Sequence, residues 1–237
     1  MRRLAIVNQK GGTGKTTSAW AIMAGAAARG KRTLAIDMDP QGNLSYLLDA
    51  DLSLPTIVNV LAGDANLKNA IQHTGRGTII PAGPGIASLT DTDALLRILD
   101  PVYRGYDLMV IDCPPTLSTT LLACIRAATE VLIPLQAEPL SIQGLYQMRG
   151  CLDQVQYSGK IDGAFLTRYS GRSTITKEMA KAIKARCEQL QMPYIDTPIR
   201  EGVAVREAQL VGQDLFAYAP KSNAAKDYSL LLDALHL

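Results

Sequence analysis

The 237-residue sequence predicts an α/β fold, a single domain with a mostly parallel twisted sheet flanked by helices on both faces. Three observations carry that reading. Short apolar runs alternate with helical stretches along the chain. Several runs lack polar residues on either face, as strands buried on both sides do. The length suits one large domain, and 47% hydrophobic with 19% charged residues is a globular balance. In order, the strands fall at Leu4–Asn8, Thr33–Asp37, Thr78–Pro81, Leu108–Asp112, Val131–Leu135, Ala164–Thr167 and Tyr194–Thr197. The helices are clearest over Thr17–Arg29, Leu117–Ala127 and Thr176–Leu190, and Ala82–Asp93 reads as a surface loop. Sheets of this kind bind ligands at the carboxyl ends of their strands, and the polar motifs lie there.

The first strand runs into Lys10-Gly11-Gly12-Thr13-Gly14-Lys15-Thr16-Thr17. Gly14, Lys15 and Thr16 close the phosphate-loop pattern G-x-x-x-x-G-K-[ST], so the fold narrows to a P-loop NTPase. Glycines let successive backbone N–H groups point inward at a triphosphate, and the helix beginning near Gly14 adds the positive end of its dipole. Lys15 is placed to reach the β- and γ-phosphates and the Thr16 hydroxyl to hold Mg²⁺. The opening glycine of the pattern is Gln9 here, and beside it stands a surplus lysine, Lys10.

Two acidic positions follow. The second strand ends in Asp37-Met38-Asp39-Pro40-Gln41-Gly42-Asn43, where a carboxylate could orient water for attack on a γ-phosphate and where a turn is the competing reading. The fourth ends in Val110-Ile111-Asp112-Cys113-Pro114-Pro115. Apolar residues before an acid at a strand terminus make Asp112 a candidate Mg²⁺ ligand of the Walker B kind.

Other features restrict the function classes. The +2 net charge is too small to argue for nucleic acid by itself. The apolar run after Met1-Arg2-Arg3 is too short for a signal peptide, and no stretch approaches the roughly 20 apolar residues of a membrane span. Cys113, Cys124, Cys151 and Cys187 form no C-x-x-C pair, which predicts reduced, buried thiols in a cytoplasm and no zinc site.

The three motifs together resemble the ParA/Soj family of deviant Walker A ATPases, within the group that includes MinD. Weaker similarity runs through Val131–Gln136 and Glu207-Ala208 to Tyr218–Ser222, so the resemblance spans nearly the whole chain as one ParA-like domain, 1–237, with no DNA-reading helix-turn-helix before the phosphate loop. It implies a slow ATPase with ATP and Mg²⁺ as cofactors. Catalysis would fall to Lys10, Lys15 and Asp39, with Asp39 positioning water. Lys10 would contact the nucleotide across an ATP-dependent homodimer, and Gly11 would sit at a close approach there. Two facing ATP molecules crowd negative charge, and a lysine supplied in trans would make ATP binding drive dimerisation. The nucleotide site would be Lys10, Gly11, Gly12, Thr13, Gly14, Lys15, Thr16 and Thr17. Thr167 and Arg168 would border the adenine on one side, Pro198 to Arg200 on the other. Mg²⁺ would fall to Thr16 and Asp112, with Asp37 supporting the ion or the loop.

Between Lys160 and Arg206 stand nine Lys/Arg and five Asp/Glu. Lys177, Lys181 and Lys184 share one helix face, opposite an inward stripe of Ile175, Met179, Ile183 and Leu190. Such lysines are usually a solvated face, but the cluster could follow phosphates without reading bases. Within the resemblance Arg172 matches a DNA-contacting arginine, while a second such position is Ala204, with Arg200 and Arg206 nearby. The implied role is DNA segregation: non-specific DNA binding by the ATP dimer through Arg172, Arg200 and Arg206, hydrolysis stimulated by a ParB-like partner, and a cytoplasmic, nucleoid-associated location in a bacterium. Competing readings are a MinD-like membrane-surface ATPase, a positioning ATPase for a non-DNA cargo, and a dimeric iron-protein reductase. The first needs a basic amphipathic tail, whereas the tail from Tyr228 to Leu237 is apolar and reads as core. Cys113 and Cys124 do not fit the cluster of the last.

Overall fold

Seven strands form the sheet: β1 (Arg2–Ile6), β2 (Thr33–Asp37), β3 (Gln72–Thr74), β4 (Gly77–Ile80), β5 (Leu108–Asp112), β6 (Glu130–Leu135) and β7 (Lys160–Leu166). Their order is β3-β4-β2-β5-β1-β6-β7, parallel except for β3 at one edge. The computed structural model describes residues 1–99 and 105–237. The helices are α1 (Lys15–Ala28), α2 (Asn43–Leu47), α3 (Ile57–Ala62), α4 (Leu67–Ala70), α5 (Ala94–Leu99), α6 (Thr119–Ala127), α7 (Leu140–Gln154), α8 (Thr174–Gln189), α9 (Val203–Val211), α10 (Leu215–Tyr218) and α11 (Asn223–Ala234). None is long and apolar enough to cross a membrane.

Side-chain alternation divides the core in two. Leu4 and Ile6 of β1, Ala35 of β2 and Val110 of β5 join Trp20, Leu215, Tyr228 and Leu231 on one face. Ala5, Leu34, Ile36, Met109 and Ile111 point the other way, onto Leu121, Leu145, Ile183 and Cys187. The tail packs as core: Tyr228, Leu231, Leu232 and Leu235 are buried. A Cβ at Gly25 would lie 2.4 Å from Leu232 Cδ1, so α1 and α11 meet closely where α1 has no side chain.

Three expectations need correction. Tyr194–Thr197 is not a strand. It lies between Pro193 and Pro198, which lack a donor, and touches the sheet only as an isolated bridge from Tyr194 to Ala164. The 82–93 segment is partly core, with Ala82 and Ile86 buried and a 3₁₀ turn over Ile86–Ser88. Ile175 is 75% exposed, because burial along α8 is complete only at Ile183 and Cys187. The polar strand β3 was invisible to an apolar search, being held by antiparallel pairing to β4. All four cysteines are free and buried.

Candidate active site

The register explains why the motifs meet. Ile6, the last residue of β1, pairs with Asp112 of β5, and Asp112 pairs with Asp37 of β2. Three adjacent parallel strands therefore stop level and deliver the phosphate loop and two acids to one edge.

The loop leaves β1 through Asn8, whose Nδ2 donates to the Pro134 carbonyl at 2.7 Å while its Oδ1 accepts from the Lys10 N–H at 2.9 Å. Gly14 caps α1 at φ 88°, ψ 22°, and Gly12 has φ 76°. Left-handed backbone of this kind costs an L-residue roughly 1–2 kcal/mol. A Cβ at Gly11 or Gly12 would meet nothing within 4 Å, so the outer wall of the loop is open. Lys15 is buried, and its Nζ donates to the Lys10 carbonyl at 3.2 Å. Burial pulls its ammonium below the ordinary lysine value, and the charges of Asp112, Cys113 and Asp39 oppose that pull. The Lys10 ammonium is ion-paired with Glu138.

Thr167 is buried, and its hydroxyl reaches the Thr13 carbonyl at 2.7 Å and the Leu135 carbonyl at 3.1 Å. It is therefore a buttress beneath the loop as well as a lining residue of the neighbouring cleft. Gln136 Nε2 holds the loop from outside, donating to the Gly12 carbonyl at 2.8 Å.

The acids differ in environment. Asp37 is saturated: Oδ2 accepts from the Ser45 N–H at 2.8 Å and hydroxyl at 2.7 Å, and Oδ1 from the Asp39 N–H at 3.1 Å. Burial pushes its carboxyl up to about 6 despite those bonds. Asp39 is buried beyond the strand end, and its Oδ1 accepts from the Gln41 N–H at 3.0 Å. Asp112 is fully buried and neither carboxylate oxygen has a hydrogen-bond partner. Burial and the Asp37 charge push it well above the carboxylate range, while the nearby Thr16 hydroxyl and Lys15 ammonium pull the other way. An orphaned buried carboxylate costs about 1–3 kcal/mol or more, a cost that a cation beside it would remove. The described residues hold no cluster of three or more His, Cys, Asp or Glu able to bind a metal alone. One carboxylate plus one hydroxyl fits Mg²⁺, which keeps waters and substrate phosphates as its remaining ligands.

Beside the loop lies a cleft of about 340 Å³ lined by Thr17, Thr167, Arg168, Ile199, Arg200 and Tyr228, among others. Arg168 has a left-handed φ of 49° and pairs with Glu201 at 3.0 Å. Pro198 does not line the cleft, because Ile199 turns inward in its place. Arg200 is not a free cation: its guanidinium and its N–H converge on buried Asp227 of α11, at 2.6 Å for Nη2 and 2.9 Å for the backbone. On α8 Lys181 pairs with Glu178 and Lys184 with Asp196, each at 3.0 Å. Among the described residues, the side chains of Arg172, Lys177 and Arg206 are exposed and carry no ion-pair partner.

The AAA domain family matches residues 1–162. The chromosome-partitioning ATPase Soj of Treponema pallidum is 35% identical, the match covering 97% of this chain and 95% of that protein. The chain belongs to the ParA/Soj family of partitioning ATPases. Cobyrinic acid a,c-diamide synthase of Mycobacterium smegmatis, solved with ADP and magnesium, is 32% identical with a TM-score of 0.84, covering 100% of this chain and 94% of that one. The cell division ATPase MinD of Pyrococcus furiosus is 29% identical, TM-score 0.83, covering 99% and 98%. This ParA/Soj protein is thus a P-loop ATPase with ATP and Mg²⁺ as cofactors.

The residues that sequence reasoning missed are Gln136, Glu138, Ser45 and Asp227. Gln136 and Glu138 lie just past the carboxyl end of β6, the same edge of the sheet as Asp112 at the last position of β5. Ser45 and Asp227 lie inside helical segments, where only the fold brings them to Asp37 and Arg200.

Proposed function

We propose that this ParA/Soj ATPase acts as an ATP-gated homodimer that binds DNA without sequence preference and is reset by hydrolysis. The observation that carries the reading is the phosphate loop with a second lysine. Lys10 stands on the open wall of the loop, beside Gly11 and Gly12, where a second subunit could approach. In this scheme Lys15 and the loop N–H groups bind the β- and γ-phosphates, and Lys10 neutralises charge on the partner's nucleotide. Thr16 and Asp112 hold Mg²⁺, which when bound offsets phosphate charge. Asp39 orients the attacking water, and Asp37 fixes the Asp39 loop by accepting the Asp39 N–H at its Oδ1. The cleft at Thr167, Arg168, Ile199 and Arg200 takes the nucleoside.

Arg172, Lys177 and Arg206 are the DNA-phosphate contacts, with Arg200 kept by Asp227 as a wall of the cleft. The apolar face of the C-terminal helix is buried on the core, which favours DNA over lipid as the working surface. Membership of the ParA/Soj family supports a ParB-like protein as stimulator and a cytoplasmic, nucleoid-bound location as parts of this proposal. The test is DNA retention by the Asp39→Ala variant with ATP. Retention with ATP but not ADP, falling steeply with salt, and lost in an Arg172→Ala/Lys177→Ala/Arg206→Ala variant is expected. Equal retention with either nucleotide, or by the triple variant, refutes the proposal.

A further inference from the structure

The loop after β6 grips the phosphate loop at two points. Gln136 Nε2 holds the Gly12 carbonyl, and the Glu138 carboxylate holds the Lys10 ammonium. The carboxylate sits on a tight turn: the Glu138 N–H donates to the Gln136 carbonyl at 2.9 Å, and the Ser141 hydroxyl to the same oxygen at 2.7 Å. The Lys10 backbone is fixed as well, its N–H by Asn8 and its carbonyl by Lys15. Only the Lys10 side chain is left to move, and both members of the pair are one-third exposed. A single ammonium cannot close on Glu138 of its own chain and also reach a nucleotide in another.

We propose that Glu138 is a positioning residue that keeps Lys10 on its own subunit until a triphosphate outcompetes it. The inference rests on the reading that Lys10 acts across a dimer. A carboxylate offers one negative charge. The γ-phosphate of a facing ATP adds charge that ADP lacks, so ATP can meet the common cost of opening the pair where ADP falls short. Partly exposed pairs shift an equilibrium about two- to fivefold. Dimerisation opens two of them, so removing both tightens the dimer about four- to 25-fold.

The experiment is sedimentation equilibrium of the full chain in a non-hydrolysable ATP analogue and, separately, in ADP. Wild type, Glu138→Gln, Glu138→Asp and Lys10→Ala are compared, with nucleotide-free melting as a control on folding. Glu138→Gln is expected to lower the dimer dissociation constant with the analogue by that factor and to show dimer with ADP. Glu138→Asp, which keeps the charge on a shorter arm, should fall between. Unchanged or weaker dimerisation of Glu138→Gln, while wild type dimerises and Lys10→Ala does not, overturns the holding role and leaves the trans role of Lys10 standing. If Lys10→Ala dimerises like wild type, both fall.

Discussion

Replacing Thr167 by Val removes one hydroxyl and keeps the shape. In the wild type that hydroxyl reaches the Thr13 carbonyl at 2.7 Å and the Leu135 carbonyl at 3.1 Å. The side chain also lies 3.5 Å from the Cβ position of Gly14, so the valine fills the same contact. The Leu135 carbonyl keeps the Thr167 N–H at 2.7 Å. The Thr13 carbonyl loses its Thr167 bond in a buried setting, which costs about 1–2 kcal/mol. For a chain of this length that lowers Tm by about 2–8 °C. The same carbonyl belongs to the phosphate loop, so KM for ATP should rise more than kcat falls. Thermal melting without nucleotide and steady-state ATPase kinetics read the two effects. A variant with wild-type Tm and wild-type KM would refute the idea that Thr167 buttresses the loop.

Three further outcomes are expected. Gly14→Ala meets only ordinary contact at Thr167 but must hold φ 88°, so it should cost roughly 1–2 kcal/mol in chemical denaturation. Asp227→Asn weakens the bonds to Arg200 and loosens the cleft wall, which should raise KM for ATP with little change in kcat. Asp162 tests pH dependence away from the active site: burial pushes its carboxyl up to about 6 from an ordinary 3.8, beside Glu130, Arg2 and Lys160. A raised carboxyl binds its proton more tightly when folded, so its stabilising effect is complete below the unfolded value and lost as pH rises through 6. Asp162→Asn should therefore gain on wild type by about 1–3 kcal/mol between pH 4 and 7 in denaturant titrations.

The architecture was legible because buried parallel strands are written as apolar runs, and β2 and β5 were placed to the residue. Tyr194–Thr197 misled because its composition suits a strand, while its pairing with β7 stops at the single bridge to Ala164 made by the Pro193 carbonyl and the Ile195 N–H. The phosphate and acid motifs were legible because local backbone chemistry dictates them. The strand-terminal position of Asp112 was legible, but its orphaned state was not, since that depends on the level ending of β1, β2 and β5. Arg200 looked like a DNA contact because sequence counts charge without showing that Asp227, 27 residues away, takes it up. Glu138 was passed over for the same reason, being 128 residues from its lysine.

In the proposed dimer Lys10 serves the nucleotide of the other subunit, and a mixture of two inactive variants distinguishes that role from one in its own site. On the proposed function, Lys10→Ala lacks the lysine given in trans, and Asp39→Ala lacks the acid used in cis. In a mixed dimer, the site on the Lys10→Ala subunit keeps its own Asp39 and receives Lys10 from its partner. An equimolar mixture should recover ATPase activity, reaching at most about a quarter of wild type, the value for random pairing, in which half the dimers are mixed and each has one intact site. Activity no greater than the sum of the separate variants would place Lys10 in its own site and refute its trans role.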